Sequence, residues 1–108
     1  MTRRKSPPVP AHLGEQGRKL WRRLIAQFEL DDAASQELLE KACVAADRAA
    51  QAREVIARDG ITFTNAAGAP VRHPAVVVER DAIAAIQQAF KLLQLTHAYE
   101  GAGRRPGT

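Results

Sequence analysis

Apolar positions in the first third of the chain recur at helical spacing. Leu20, Trp21, Leu24, Ile25 and Phe28 fall within one arc at about 100° per residue, and Arg18, Lys19, Arg22 and Arg23 fill the opposite one. The pattern predicts a first helix from about Leu13 or Gly14 to Phe28, split into an apolar and a basic face. Glu15 lies on the basic side, four residues before Lys19, where the two can pair. Leu30-Asp31-Asp32 then breaks the periodicity and supplies an N-cap for a second helix.

From about Ala33 to Arg58 there is no proline or glycine, and the strong helix formers Ala, Leu, Glu, Gln and Arg dominate. Such a stretch predicts a rod roughly 39 Å long at 1.5 Å per residue, longer than a compact domain of this size needs. Leu38, Leu39, Ala42, Ala45, Ala46, Ala49 and Ile56 line one side, and Glu37, Glu40, Lys41, Asp47, Arg48 and Glu54 the other. Asp59-Gly60 carries a glycine stop signal. Residues 61–73 switch to β-branched and aromatic types around Asn65-Ala66-Ala67-Gly68, which predicts a short extended segment or a two-stranded hairpin with a Gly turn. Pro70 makes the second arm a poor central strand. Pro74 suits the first position of a third helix to about Leu93, with Val78, Ala82, Ile86, Ala89, Phe90 and Leu93 as its apolar stripe. The expected fold is mainly α: three helices, the central one long, with the extended segment between the second and third.

Length and composition bound this picture. A chain of 108 residues holds one domain. Hydrophobic residues reach 45% but aromatics only 5%, so the core rests on alanine and buries little area per residue, which favours a partner subunit to complete the burial. We expect residues 1–10 to form a flexible basic arm and residues 11–97 a helical oligomerisation and DNA-binding domain. Residues 98–108 are expected to form a flexible tail. No apolar run approaches a membrane span and no secretory signal is visible, so a cytoplasmic protein without membrane association is expected.

The net charge of +4 is unevenly spread. Residues 1–23 hold seven bases against one acid, residues 29–59 four against eight, and residues 60–108 five against three. A basic front beside an acidic middle points to polyanion contact at one end, and to association between opposite faces.

Groups that could do chemistry are sparse. There is no phosphate-binding Gly-rich loop, and His12, His73 and His97 lie apart with no second ligand at metal spacing, which fits solvated or loop histidines. Asp31-Asp32 reads as a cap, and Glu79 and Asp81 lie early in a helix, where acids favour the dipole. Cys43, the single cysteine, falls within a helical pattern and fits a buried, inert thiol. The expectation is no enzyme, no cofactor and no metal. Binding is the better prospect. Arg18, Lys19, Arg22 and Arg23, with Arg3, Arg4 and Lys5 of the arm, are candidate phosphate contacts. Leu38, Ala42, Ala46, Ala49, Arg53 and Ile56 are candidates for an oligomer interface; Arg53, in the apolar arc, must either reach outward or pair across that interface.

The order of these features resembles the small terminase subunit of tailed phages, in the group often called the P27 family. The resemblance covers about residues 10–96 and rests on Pro10 and Leu13, on Trp21 with Leu24, and on Asp32 before the long helix. It continues through Gly60, then His73-Pro74-Ala75, and Leu92-Leu93-Gln94-Leu95-Thr96 at the end. His73 stands where relatives commonly have Asn, and Gln94 and His97 replace the Gly and Pro of a Leu-Gly-Leu-Thr-Pro ending; the third helix is thereby free to run on toward Tyr99. The resemblance implies a homo-oligomeric ring that binds double-stranded viral DNA and delivers it to the terminase large subunit, which holds motor and nuclease. Two other readings remain open at this stage: a small dimeric helical DNA-binding regulator, and a phage assembly or adaptor protein that binds only protein.

Overall fold

The computed structural model describes residues 7–94, and contains α1 (Glu15–Gln27), α2 (Ala33–Asp59), β1 (Thr62–Thr64), β2 (Pro70–Arg72) and α3 (Pro74–Leu93). The chain is mainly helical, with three helices and a small antiparallel hairpin between the second and third. Residues 1–6 of the expected arm, the last three of the expected domain and the whole expected tail, 98–108, lie outside the described residues.

Helix α1 starts after Gly14, which has no side-chain oxygen to cap it. The cap comes instead from α2. The Gly14 and Gly17 N–H groups donate to the two oxygens of Asp47, at 2.6 and 2.8 Å. A carboxylate at a helix N-terminus meets both the unpaired backbone donors and the positive end of the dipole. The approach is close enough to require glycine: a Cβ on Gly17 would lie 2.7 Å from the Cys43 carbonyl oxygen and 2.5 Å from Asp47 Oδ2. Asp47, expected only as one of the polar residues opposite the apolar stripe of α2, thus spends its side chain holding α1 to α2. Glu40, placed on the same face, lies 3.0 Å from His12 Nε2 through its Oε2.

The break before α2 forms as the sequence predicts. Asp32 is the N-cap and accepts from Ser35 N at 3.0 Å, while Gln36 Nε2 donates back to the Leu30 and Asp31 carbonyls. Gly60 ends α2 at φ 90°, a conformation in which a Cβ is costly. In the hairpin, Thr62 pairs with Arg72, Phe63 with Val71 and Thr64 with Pro70. Asn65 organises its turn, its Oδ1 accepting from both Ala67 N and Ala69 N at 3.0 Å.

Helix α3 runs back antiparallel to α2, which divides the molecule into two unequal regions. At one end all three helices enclose Leu13, Trp21, Leu24, Leu30, Leu39 and Cys43, with Phe90 and Leu93 of α3 packed against them. Cys43 is fully buried, and burial pushes its thiol up to about 12, an inert group as expected. Toward the other end only α2 and α3 remain, joined through Ala45, Ala49 and Ala82 with Ile86 alongside. This two-helix arm carries the hairpin at its tip. Helix α3 stops at Leu93, where Gln94 takes up the left-handed conformation at φ 63° and its N–H reaches back to the Lys91 and Phe90 carbonyls. Gln94 thus bears the strain a glycine would avoid, and the positions toward Tyr99 lie outside the described residues.

Candidate nucleic-acid interface and assembly surfaces

The basic face of α1 lies opposite the face that buries Trp21 and Leu24, so the hydrophobic packing of the helix fixes the direction in which its cations point. The four predicted contacts differ in what else they do. Arg18 is committed within the chain: its Nε donates to the Leu13 carbonyl at 2.7 Å and its Nη2 to the Ala11 carbonyl at 3.1 Å, bracing the turn that enters α1. Lys19 sits 3.7 Å from Glu15, the expected i,i+4 pair, and both are so exposed that the contact is weak. Arg22 and Arg23 are exposed, one turn beyond that pair, and form no ion pair among the described residues. Arg3, Arg4 and Lys5 lie outside the described residues.

The residues proposed as an oligomer stripe are largely drawn into the chain's own packing. Ala42 and Ala49 are 0% and 1% exposed, and Leu38, Ala46 and Ile56 are half-buried. Arg53 reaches outward from the stripe, and its Nε donates to Glu79 Oε2 of α3 at 2.8 Å. The pair ties the arm's two helices together, and Glu79 is a brace as well as an early-helix acid.

His73 is, with Asp47, a residue whose role sequence reasoning missed. It is not a solvated loop histidine; it is the N-cap of α3. Its Nδ1 accepts from Ala75 N at 3.0 Å, so the ring proton sits on Nε2 and is donated to Asp59 Oδ2, also at 3.0 Å. The Phe63 ring meets it edge-on at 5.7 Å, and its own N–H donates to the Ile61 carbonyl. One side chain thus joins the end of α2, the hairpin and the start of α3. The usable signal was the position itself, directly before Pro-Ala, where a side-chain acceptor is needed. We predict that His73→Asn retains the cap and loses only the Asp59 bond. His73→Ala loses both and lowers stability by about 1–2 kcal/mol, read by urea unfolding.

The bonds from Arg58 and then His73 hold the Asp59 carboxyl below its ordinary range. Its folded pKa is depressed, so this contribution is complete above the unfolded value of about 3.9 and is lost as pH falls through the folded one. Acid unfolding followed by circular dichroism is expected to show less pH sensitivity below about pH 4 in Asp59→Asn than in the parent chain.

Among the described residues no group of three or more His, Cys, Asp or Glu is placed to hold a metal. Among the described residues, three open grooves along α2 are lined by mixed polar and apolar side chains. No described helix is long and apolar enough to cross a membrane.

A helical hairpin arm, a short amphipathic helix clamped to its base and a cationic outer face define a small, mainly helical protein. The chain belongs to the phage terminase small subunit family, whose pattern matches residues 17–104. That span takes in almost all of α1, the whole of the arm and the hairpin. Membership gives the chain a role in phage genome packaging. Small subunits of this family are generally non-catalytic, with the ATPase and nuclease in the large subunit. No curated protein and no solved structure matches the chain.

Proposed function

We propose that this subunit recognises double-stranded viral DNA, assembles into a homo-oligomeric ring, and delivers the DNA to the terminase large subunit in the host cytoplasm. We further place it in the P27 group, on the residue order running from Trp21 through Gly60 to His73-Pro74-Ala75. The observation that carries the DNA reading is the exposure of Arg22 and Arg23, free of ion pairs among the described residues, on the outer face of α1. Exposed cations that neutralise phosphates release counterions, and the gain is independent of base sequence. Lys19 extends the same face, Arg3, Arg4 and Lys5 of the sequence add further phosphate contacts in this reading, and Arg18 supports it from within by holding the turn in front of α1.

Reversing the two free cations tests it. Arg22→Glu with Arg23→Glu is expected to weaken binding to a phage DNA fragment at least tenfold at low salt. The plot of log affinity against log salt should flatten by about 0.9 for each phosphate no longer neutralised. Fluorescence anisotropy across a salt series gives both quantities. An unchanged affinity and slope would remove α1 from the DNA interface.

A further inference from the structure

Helix α3 is apolar around far more of its circumference than its packing on α2 uses. Its buried stripe, Ala75, Ala82 and Ala89, repeats every seven residues and faces α2. A second stripe with the same spacing, Val78, Ala85 and Leu92, lies on one flank of that contact. Ile83 lies on the other flank. At about 100° per residue, Ala85 and Ile83 diverge by about 160°, one to each side of the α2-facing stripe. Val78 and Ile83 are each 39% exposed and Leu92 is 56% exposed, although an outer helix of a self-sufficient domain needs only one apolar stripe.

The two flanks also differ in charge. Beside Val78 and Ala85, α2 presents Lys41 and Arg48 around Val44, and neither cation has an ion-pair partner among the described residues. Beside Ile83 the neighbouring charges include the acid Glu79, one-quarter exposed and braced by Arg53. One flank is thus a shallow apolar groove with Lys41, Arg48 and the acid Asp81 at its rim, and the other is an apolar flank carrying the Glu79–Arg53 pair.

We propose that the groove formed by Val44, Val78 and Ala85 receives the Ile83 ridge of a second copy, head to tail, with Lys41 and Arg48 facing the neighbour's Glu79. This deepens the ring reading and rests on it. A contact between two different surfaces of the same chain propagates in one direction and closes only as a ring, whereas a like-to-like contact stops at two copies.

The test uses the full chain. Ala85→Arg and Ile83→Asp alter exposed positions, so helicity and thermal unfolding of the single subunit should be preserved, as circular dichroism will show. Each variant alone is expected to fall to the subunit mass of 11.8 kDa by light scattering. Mixing the two leaves one intact groove facing one intact ridge, so the mixture is expected to yield a species of twice that mass. An oligomer that survives Ala85→Arg, or variants that fail to pair when mixed, overturns this interface while leaving the ring reading standing. A parent chain that is itself monomeric at every concentration overturns both.

Discussion

Trp21→Ala is expected to lower the stability of the subunit by about 3–5 kcal/mol, the cost of deleting a large buried aromatic. A domain of this size is worth only about 5–15 kcal/mol in all, so the loss is a large fraction of the whole. Trp21 is 3% exposed and packs with Leu13, Leu24, Leu39 and Cys43, where all three helices meet. It is the largest side chain of that cluster, and the second contact region, between α2 and α3 alone, is made by alanine and contributes little in its place. The contribution of Trp21 is volume rather than hydrogen bonding, since its Nε1 is buried with no acceptor. Trp21→Phe should therefore cost clearly less than Trp21→Ala, because the smaller ring also removes an unsatisfied donor. Urea unfolding of the three proteins gives the ordering. Equal losses for Phe and Ala would show that the indole nitrogen has a partner in the folded chain.

The second large effect is expected at the clamp between α1 and α2. Asp47→Ala removes a carboxylate that accepts from Gly14 and Gly17; the exposed Gly14 N–H turns to water while the part-buried Gly17 N–H loses its partner, at a cost of about 1–3 kcal/mol. Gly17→Ala approaches the same contact from the other side. In an isolated helix the change would stabilise by about 1 kcal/mol. Here the new methyl meets the Cys43 carbonyl oxygen and the Asp47 carboxylate, and a net loss of about 1–3 kcal/mol is expected. The two substitutions act on one contact, so the double variant should lose less than the sum of the single losses. Additive losses would mean that the clamp is not shared. The clamp also sets the aim of the basic face, because α1 otherwise attaches through its apolar side alone.

The boundaries of the helices were legible because each rests on a local signal: Asp32 as a cap, Gly60 as a stop, Pro74 as a first residue. The hairpin was legible in Asn65 and Gly68 for the same reason. What escaped were side chains whose partners lie far along the chain. Asp47 and Glu40 carry charges on a periodic helix, and periodicity assigns them to solvent; nothing local reveals that Gly14 and Gly17 arrive some 30 residues away in sequence. Arg53 stands out as anomalous in an apolar arc, but the pattern could not supply Glu79 as its partner. His73 reads as a loop residue because histidine is a rare cap, although its place before Pro74 is informative. The candidate site was half legible: periodicity found the basic face, and only the fold showed that Arg18 is occupied while Arg22 and Arg23 are exposed.

The central claim is that this terminase small subunit acts on DNA as an oligomer. The measurement that tests it most directly is its solution mass by light scattering, at low and moderate salt, with and without a phage DNA fragment. The account predicts a species several times 11.8 kDa that associates with the DNA and releases it as salt rises. A monomer or dimer that ignores the DNA at every salt concentration would contradict it.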